Sequence, residues 1–168
     1  IENGYDVNMK DGYGGNALEW AAQENRISNA KMLIESGCDV NKLNGEGMTA
    51  LYTACAEGNT DMARLLLNNN AEPDRTEDAT PLIIASCYGK IDCAELLLEH
   101  GSDVNSIDNE GRTALFYAMV YGQDEIEKLL SAHGASYDIC DKDGVSPGQL
   151  KDEGVREQVY SELMGEEE

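Results

Sequence analysis

A short phrase recurs along this chain at a nearly fixed interval, and that repetition restricts the fold more than any other feature. Three of the four intervals between copies are 33 residues, and the fourth is two residues shorter. A unit of this length cannot bury its apolar face alone, so successive copies must stack. The copies open at Asn16-Ala17-Leu18, Thr49-Ala50-Leu51, Thr80-Pro81-Leu82, Thr113-Ala114-Leu115 and Ser146-Pro147. The sequence therefore predicts an array of stacked repeats. Arrays of this kind act by binding partners on their surface rather than by catalysing a reaction.

The second full copy shows how one unit is expected to fold. Its Gly-rich opening suits a tight turn, and Thr49 can begin a short helix because its side chain accepts a hydrogen bond from an early backbone N–H. That helix is predicted to end near Gly58. A second helix follows with an apolar stripe that includes Met62 and Leu66, and Asn70 takes the C-terminal turn where other copies have Gly.

These segments resemble the ankyrin repeat. The resemblance rests on Asp108–Leu115 with Leu129-Leu130 and Gly134-Ala135 after it, and on Leu96–Asn105 with the parallel segments of the other copies. It implies an all-α repeat solenoid, in which helix-turn-helix pairs with β-hairpin fingers form a curved, elongated array. The implied units are the tail of a truncated repeat at 1–8, full repeats at 9–41, 42–74, 75–105 and 106–138, and a C-terminal capping repeat at 139–168.

Three departures from the family pattern carry expectations. The chain between Asp74 and Thr80 is two residues shorter than in neighbouring copies, and Pro73 stands where those copies have Val, so that finger should be blunt. The opening segment 1–8 matches 34–41, and we expect the natural protein to continue upstream. The family's usual His in the first helix is absent, its place being taken by Glu19, Tyr52, Ile83 and Phe116.

The charge balance narrows the class of partner. The chain has 33 acidic and 12 basic residues, a formal net charge of −21 at pH 7. A field of that sign repels phosphate backbones and anionic lipid, so nucleic acid and direct membrane contact are poor expectations. It would speed encounter with a basic protein segment. The alternative is that acidity keeps an elongated, surface-rich array soluble.

The five cysteines show neither pairing nor metal-ligand spacing. Cys38 and Cys55 take positions where neighbouring copies have small residues, which is typical of small buried hydrophobic residues. This favours a reducing compartment, the cytoplasm with the nucleus as alternative. A functional thiol is the other interpretation of these residues.

A search for catalytic groups finds no active site. Both histidines, His100 and His133, immediately precede the Gly that ends a second helix, where imidazole favours the negative end of the helix dipole. No phosphate-binding Gly loop, zinc-ligand spacing or calcium loop occurs, and no cofactor is expected. The sequence therefore indicates that the protein is not an enzyme.

The candidate binding surface follows from the family resemblance, because partners of ankyrin repeats usually lie across the finger tips and first helices. Large rings in this set are typical binding hot spots, and the acids among them suit a protein or peptide with basic and apolar residues. Trp20, Tyr88, Tyr117 and Tyr121 are expected to be exposed, whereas Tyr52 and Phe116 are expected to pack between repeats. The candidates are Tyr13, Trp20, Glu24, Glu46, Met48, Glu57, Glu77, Ile84, Tyr88, Glu110, Arg112, Tyr117 and Tyr121.

A modification is also implied by the resemblance. Asn8, Asn41 and Asn105 share one position, and in this family such an Asn can be hydroxylated by an asparaginyl hydroxylase. The structural alternative is a side chain that bridges the turn backbone.

The function predicted from the sequence is a non-catalytic protein–protein interaction scaffold that binds its partner on the concave face. The alternative is a regulatory subunit, either a stoichiometric enzyme inhibitor or a substrate-recruiting adaptor of a ubiquitin ligase.

Overall fold

The computed structural model describes residues 6–12 and 14–165. Helices account for about half of this part of the chain, and they follow one another in antiparallel pairs. They are α1 (Ala17–Gln23), α2 (Ile27–Glu35), α3 (Ala50–Glu57), α4 (Thr60–Leu67), α5 (Pro81–Cys87), α6 (Ile91–Glu99), α7 (Ala114–Val120), α8 (Asp124–Ala132) and α9 (Glu153–Met164), with a short 3-10 helix at Gln149–Lys151. The all-α repeat array predicted from the sequence is confirmed.

The first helix of each pair begins at the recurring phrase because the polar residue of that phrase caps it. Thr49, Thr80 and Thr113 each accept a hydrogen bond from the backbone N–H three residues later. Asn16 goes further and forms a capping box with Glu19, in which each side chain accepts from the other residue's N–H. These starts are as the sequence predicts.

The turns that end the helices also follow the prediction. Gly58 ends α3 in the left-handed region at φ 76°, a conformation that glycine adopts without the steric cost of a Cβ. After α4, Asn70 adopts the same left-handed conformation, at φ 64°. Asn is one of the few other residues that tolerate this region.

The helix pairs stack in two rows. The first helices α1, α3, α5 and α7 contact one another in succession, and the second helices α2, α4, α6 and α8 form the other row with fewer contacts. One alanine of each first helix makes the closer approach feasible: Ala21, Ala54, Ala85 and Ala118 take equivalent positions and are at most 5% exposed. The row of first helices is therefore the more closely packed of the two rows, and it is the row that the family resemblance implies for the inner, concave side.

The fingers that precede the first helices are turns with very little ladder pairing. Within the described residues they contain two isolated antiparallel bridges, Lys10 with Asn16 and Ile107 with Thr113, in place of strands. The β-hairpins that the resemblance implies are therefore reduced to single-bridge turns, because each finger has only a few residues. The backbone bonds that close them join Asp11 N to Gly15 O, Asn44 N to Met48 O, Asp108 N to Arg112 O and Asp141 N to Val145 O.

The finger at 74–80 is blunt, as the shortened spacing predicts. Instead of pairing across its own turn, it hydrogen-bonds to the preceding finger. The Glu77 N–H and the Thr76 hydroxyl both donate to the carbonyl of Gly47, at 3.0 and 3.3 Å. A Cβ at Gly47 would meet Glu77 atoms at 2.6 Å, so this contact also requires glycine.

The recurring Asn of the extended link ties each repeat to the next one. Asn41 accepts from the N–H of Glu72 at 2.8 Å and donates to the carbonyl of Asn70 at 3.0 Å. Asn105 makes the same pair of bonds two repeats later, to Ser136 N and Gly134 O. Asn8 accepts from Asp39 N at 2.7 Å. The bridging role is confirmed, between repeats rather than within one turn, while hydroxylation stays a prediction.

Asp74 takes the place of this Asn in the second repeat, but it forms only one of the two hydrogen bonds that Asn41 and Asn105 form. Its Oδ2 accepts from Asp103 N at 2.9 Å, but Oδ1 is buried without a hydrogen-bond partner in the described chain. We expect Asp74→Asn to raise the free energy of unfolding by about 1 kcal/mol, because the amide supplies the donor that a carboxylate lacks. Urea unfolding followed by circular dichroism measures the change.

The control for this prediction is Asp138→Asn, which removes the same charge from an exposed residue. Equal stabilisation in both variants would assign the gain to reduced net charge and contradict the hydrogen-bond explanation.

Candidate functional site

The described residues contain no group of three or more His, Cys, Asp or Glu side chains arranged to hold a metal ion. Both histidines lie at helix C-termini, with Nδ1 2.8 Å from the Leu96 carbonyl in His100 and 2.9 Å from the Leu129 carbonyl in His133. The predicted capping role is confirmed. No helix in the same residues is long and apolar enough to cross a bilayer.

We use the name inner surface for the side chains of the first helices and finger tips at the positions that the family resemblance implies for the concave side. Equivalent positions along the helices form two columns. The first column is Trp20, Thr53, Ile84 and Tyr117, and the second is Glu24, Glu57, Tyr88 and Tyr121. Within a helix these columns lie four residues apart, so a partner that crosses one contacts the other.

Trp20 is 47% exposed, and a hydrogen bond fixes its ring. The indole Nε1 donates to Asp11 Oδ2 at 2.8 Å, which ties the first helix to its own finger. One side of the ring borders an apolar groove of about 610 Å³ that runs between α1 and α2 past Met32 and Leu33. The hydrogen bond to Asp11 therefore holds the Trp20 ring in one orientation beside the groove.

Tyr88 is the most exposed aromatic side chain of the inner surface, at 57%. It lies directly after α5, where its backbone caps the helix. Tyr52 of the preceding repeat is close to it and half-buried. Burial, with the Tyr88 hydroxyl as the next cause, raises the pKa of Tyr52 to about 12.

Tyr117 and Tyr121 are half-buried, so the expected exposure holds for Trp20 and Tyr88 but not for this pair. Their rings stack with centroids 6.3 Å apart, and Tyr160 of α9 packs edge-on against Tyr121 at 5.8 Å. The Tyr117 hydroxyl donates to Asp108 Oδ2 at 2.7 Å. Burial, reinforced by that carboxylate, raises the pKa of Tyr117 far above its usual range. Phe116 is fully buried, as predicted.

Arg112 has a structural partner. Its Nε lies 3.3 Å from Asp141 Oδ2, and the two side chains are 14% and 2% exposed. The guanidinium carbon also sits 5.4 Å from the Phe116 ring centroid. Glu110 pairs with Lys142 of the next finger at 3.3 Å. These groups join the last two fingers, and Arg112 has little surface left for a partner.

The remaining candidates divide by exposure. Glu46, Glu57 and Glu77 are exposed carboxylates, and Glu24 is exposed beside Arg26 at 4.0 Å. Met48 and Ile84 are half-buried, and Ile84 packs against the core. Tyr13 lies outside the described residues. Among the described candidates, Trp20 and Tyr88 are thus exposed rings, and the five acids, including the paired Glu110, are exposed.

Sequence reasoning missed Tyr160. It enters the aromatic cluster because α9 packs against α7. The available signal was its position next to Val159, a buried residue of the capping helix.

A family model described as ankyrin repeats (3 copies) matches residues 1–77, 18–108 and 73–143, which together span most of the chain. A comparison with curated proteins gives no significant match.

Proposed function

The chain belongs to the ankyrin-repeat family, and from that premise we propose that it is a non-catalytic scaffold that holds a partner protein or peptide along its inner surface. Domains of this family generally mediate protein–protein interaction and are typically non-enzymatic. The observation that carries the proposal is the exposure of Trp20 and Tyr88 on the row of first helices. Exposed large rings are costly to leave in water and are the side chains most enriched at binding hot spots.

The carboxylates around these rings favour a partner with basic residues. Glu24 follows Trp20 by one helical turn, and Glu57 takes the equivalent position in α3, one repeat before Tyr88. Lys or Arg side chains can pair with such acids and lie over the rings, while apolar neighbours fill the groove beside Met32. The net charge of −21 adds long-range attraction for a basic segment. We also propose a cytoplasmic or nuclear location, which the free cysteines support.

The test uses peptides selected from a displayed library for binding to the chain, labelled and titrated by fluorescence anisotropy. Basic, apolar peptides should dominate the selection. Trp20→Ala and Tyr88→Ala should each weaken the affinity by roughly tenfold or more, since a hot-spot ring contributes about 2 kcal/mol. Trp20 is the only tryptophan, so its emission should also change when peptide binds to wild type.

Two controls accompany that measurement. Met164→Ala removes an exposed apolar side chain from the terminal helix and should leave the affinity unchanged. Raising the salt concentration should weaken the wild-type complex, because exposed charge pairs are screened. Unchanged affinity in both aromatic variants, with the helical signal intact, would overturn the proposed surface.

A further inference from the structure

One carboxylate joins Trp20 to the finger that precedes its helix. The indole Nε1 donates to Asp11 Oδ2 at 2.8 Å, and Oδ1 of the same carboxylate accepts from the N–H of Gly15 at 3.0 Å. The backbone of Asp11 is also anchored in the turn, because its N–H donates to the Gly15 carbonyl at 2.8 Å. The finger therefore holds Asp11, and Asp11 holds the edge of the ring that carries the nitrogen.

The finger backbone lies close against this edge of the ring. A Cβ added to Gly15 would meet Trp20 Nε1 at 2.9 Å and Asp11 Oδ2 at 3.3 Å, so glycine allows the indole to lie against the turn. The Trp20 side chain is nevertheless 47% exposed. Its nitrogen edge is thus directed at the turn, and the rest of the ring is left for a partner.

The same contact recurs in the fourth full repeat. Asp108 takes the position of Asp11, and Tyr117 takes that of Trp20. The Tyr117 hydroxyl donates to Asp108 Oδ2 at 2.7 Å, while Asp108 Oδ1 accepts from backbone N–H groups of its own turn, as Asp11 Oδ1 does. The contact is therefore a repeated feature of the fingers rather than a chance arrangement in one turn.

This hydrogen bond limits what the ring can offer to a partner. The indole has a single hydrogen-bond donor, and Asp11 already accepts from it. A partner therefore meets the ring through its carbon atoms and its π face. That surface suits an aliphatic side chain or the cation of Lys or Arg, and it provides no donor for a carbonyl or carboxylate. Because folding already sets the orientation of the ring, the partner does not have to immobilise it.

We propose that Asp11 is a positioning residue of the inner surface, which orients the Trp20 indole so that its face recognises an aliphatic or cationic side chain. The inference rests on the proposed function, because it assigns Asp11 a role at the same site. The effect of Asp11 on affinity passes through Trp20, and no contact between Asp11 and the partner is required.

Asp11→Asn is a suitable test because the second finger has Asn at the same position. There, Asn44 Oδ1 accepts from the N–H groups of Glu46 and Met48 at 2.8 and 3.0 Å, while its Nδ2 donates to Glu19 outside the turn. In Asp11→Asn the amide oxygen should keep the turn in the same way, and the amide NH₂ should face the indole N–H. The variant therefore removes the bond to the ring and leaves the finger folded.

The first readout needs no peptide. Trp20 is the only tryptophan, so the time-resolved anisotropy of its emission reports the motion of one ring. In Asp11→Asn the amplitude of the fast component should rise by roughly twofold or more, because a ring without its hydrogen bond samples other rotamers. Asp138→Asn removes the same charge from an exposed residue of the last full repeat and should leave the decay unchanged. An unchanged decay in Asp11→Asn would overturn the proposal.

The second readout is a double-mutant cycle, measured by titration with a selected basic, apolar peptide. In the wild-type background Asp11→Asn should weaken the affinity by roughly threefold to tenfold, the cost of immobilising one side chain on binding. In the Trp20→Phe background the ring has no N–H to position, so the same substitution should change the affinity by less than about twofold. The cycle cancels the lost charge of Asp11, because that charge is removed in both backgrounds.

The outcomes separate this inference from the proposed function. Equal losses from Asp11→Asn in both backgrounds, or no loss in either, would overturn the positioning role and leave the proposed inner surface in place. Unchanged affinity in both Trp20→Ala and Tyr88→Ala would refute the proposed surface. It would also refute any contribution of Asp11 to affinity, even if the anisotropy decay showed that Asp11 holds the ring.

Discussion

Replacement of Phe116 by alanine should lower the free energy of unfolding by about 3–5 kcal/mol, because it leaves a ring-sized cavity in the last full repeat. Phe116 is completely buried in α7. Its ring packs edge-on against Tyr117 with centroids 5.9 Å apart and supports the Arg112 guanidinium. Because domains of this size are stable by only about 5–15 kcal/mol, the variant should lie close to unfolding at room temperature.

Urea unfolding monitored by far-ultraviolet circular dichroism measures this loss. Phe116→Leu is the matched control, since it keeps much of the volume and should cost less than half as much. Equal, small losses in both variants would mean that the repeat collapses around the gap. That result would contradict the tight packing assigned to this boundary.

The second large effect is expected at Asp141. Its Oδ1 accepts from the N–H groups of Asp143 and Val145 at 3.0 and 2.9 Å, and its Oδ2 pairs with Arg112. Asp141→Ala removes the partner of a largely buried guanidinium and two turn bonds together. We expect a loss of about 3–5 kcal/mol, the usual consequence of breaking a buried pair from one side.

Asp143 provides the control for this prediction. It lies in the same turn and 4.0 Å from the same guanidinium, but its side chain is 75% exposed. Asp143→Ala should change stability by no more than about 0.5 kcal/mol, because exposed pairs contribute little. Thermal or urea unfolding of both variants under one set of conditions gives the comparison, and comparable losses would contradict the dominance of the buried pair.

The helix pattern could be predicted from the sequence because its determinants are local. Thr49 and Thr113 cap the helices that follow them, and Gly58 supplies a left-handed turn. Each of these effects depends on residues within one turn of the chain. The blunt finger was equally local, since a missing pair of residues shows directly in the spacing.

The exposure of the inner rings was harder to predict because it depends on neighbours in other repeats. Tyr121 is half-buried because Tyr117 stacks on one face and Tyr160 packs from the capping helix. Arg112 was predicted to contact a partner, but it pairs with Asp141, which lies in the next finger. Nothing in the spacing of one repeat shows which side chains of the next repeat it meets.

Binding of the partner on the inner surface is tested most directly by the changes in amide chemical shift of the isotope-labelled chain during titration with a selected basic, apolar peptide. The proposed function predicts that the largest changes fall in α1, α3 and α5 and in the adjoining finger tips, around Trp20 and Tyr88. Changes confined to the second-helix row, α2, α4, α6 and α8, would contradict it, even if the peptide bound tightly.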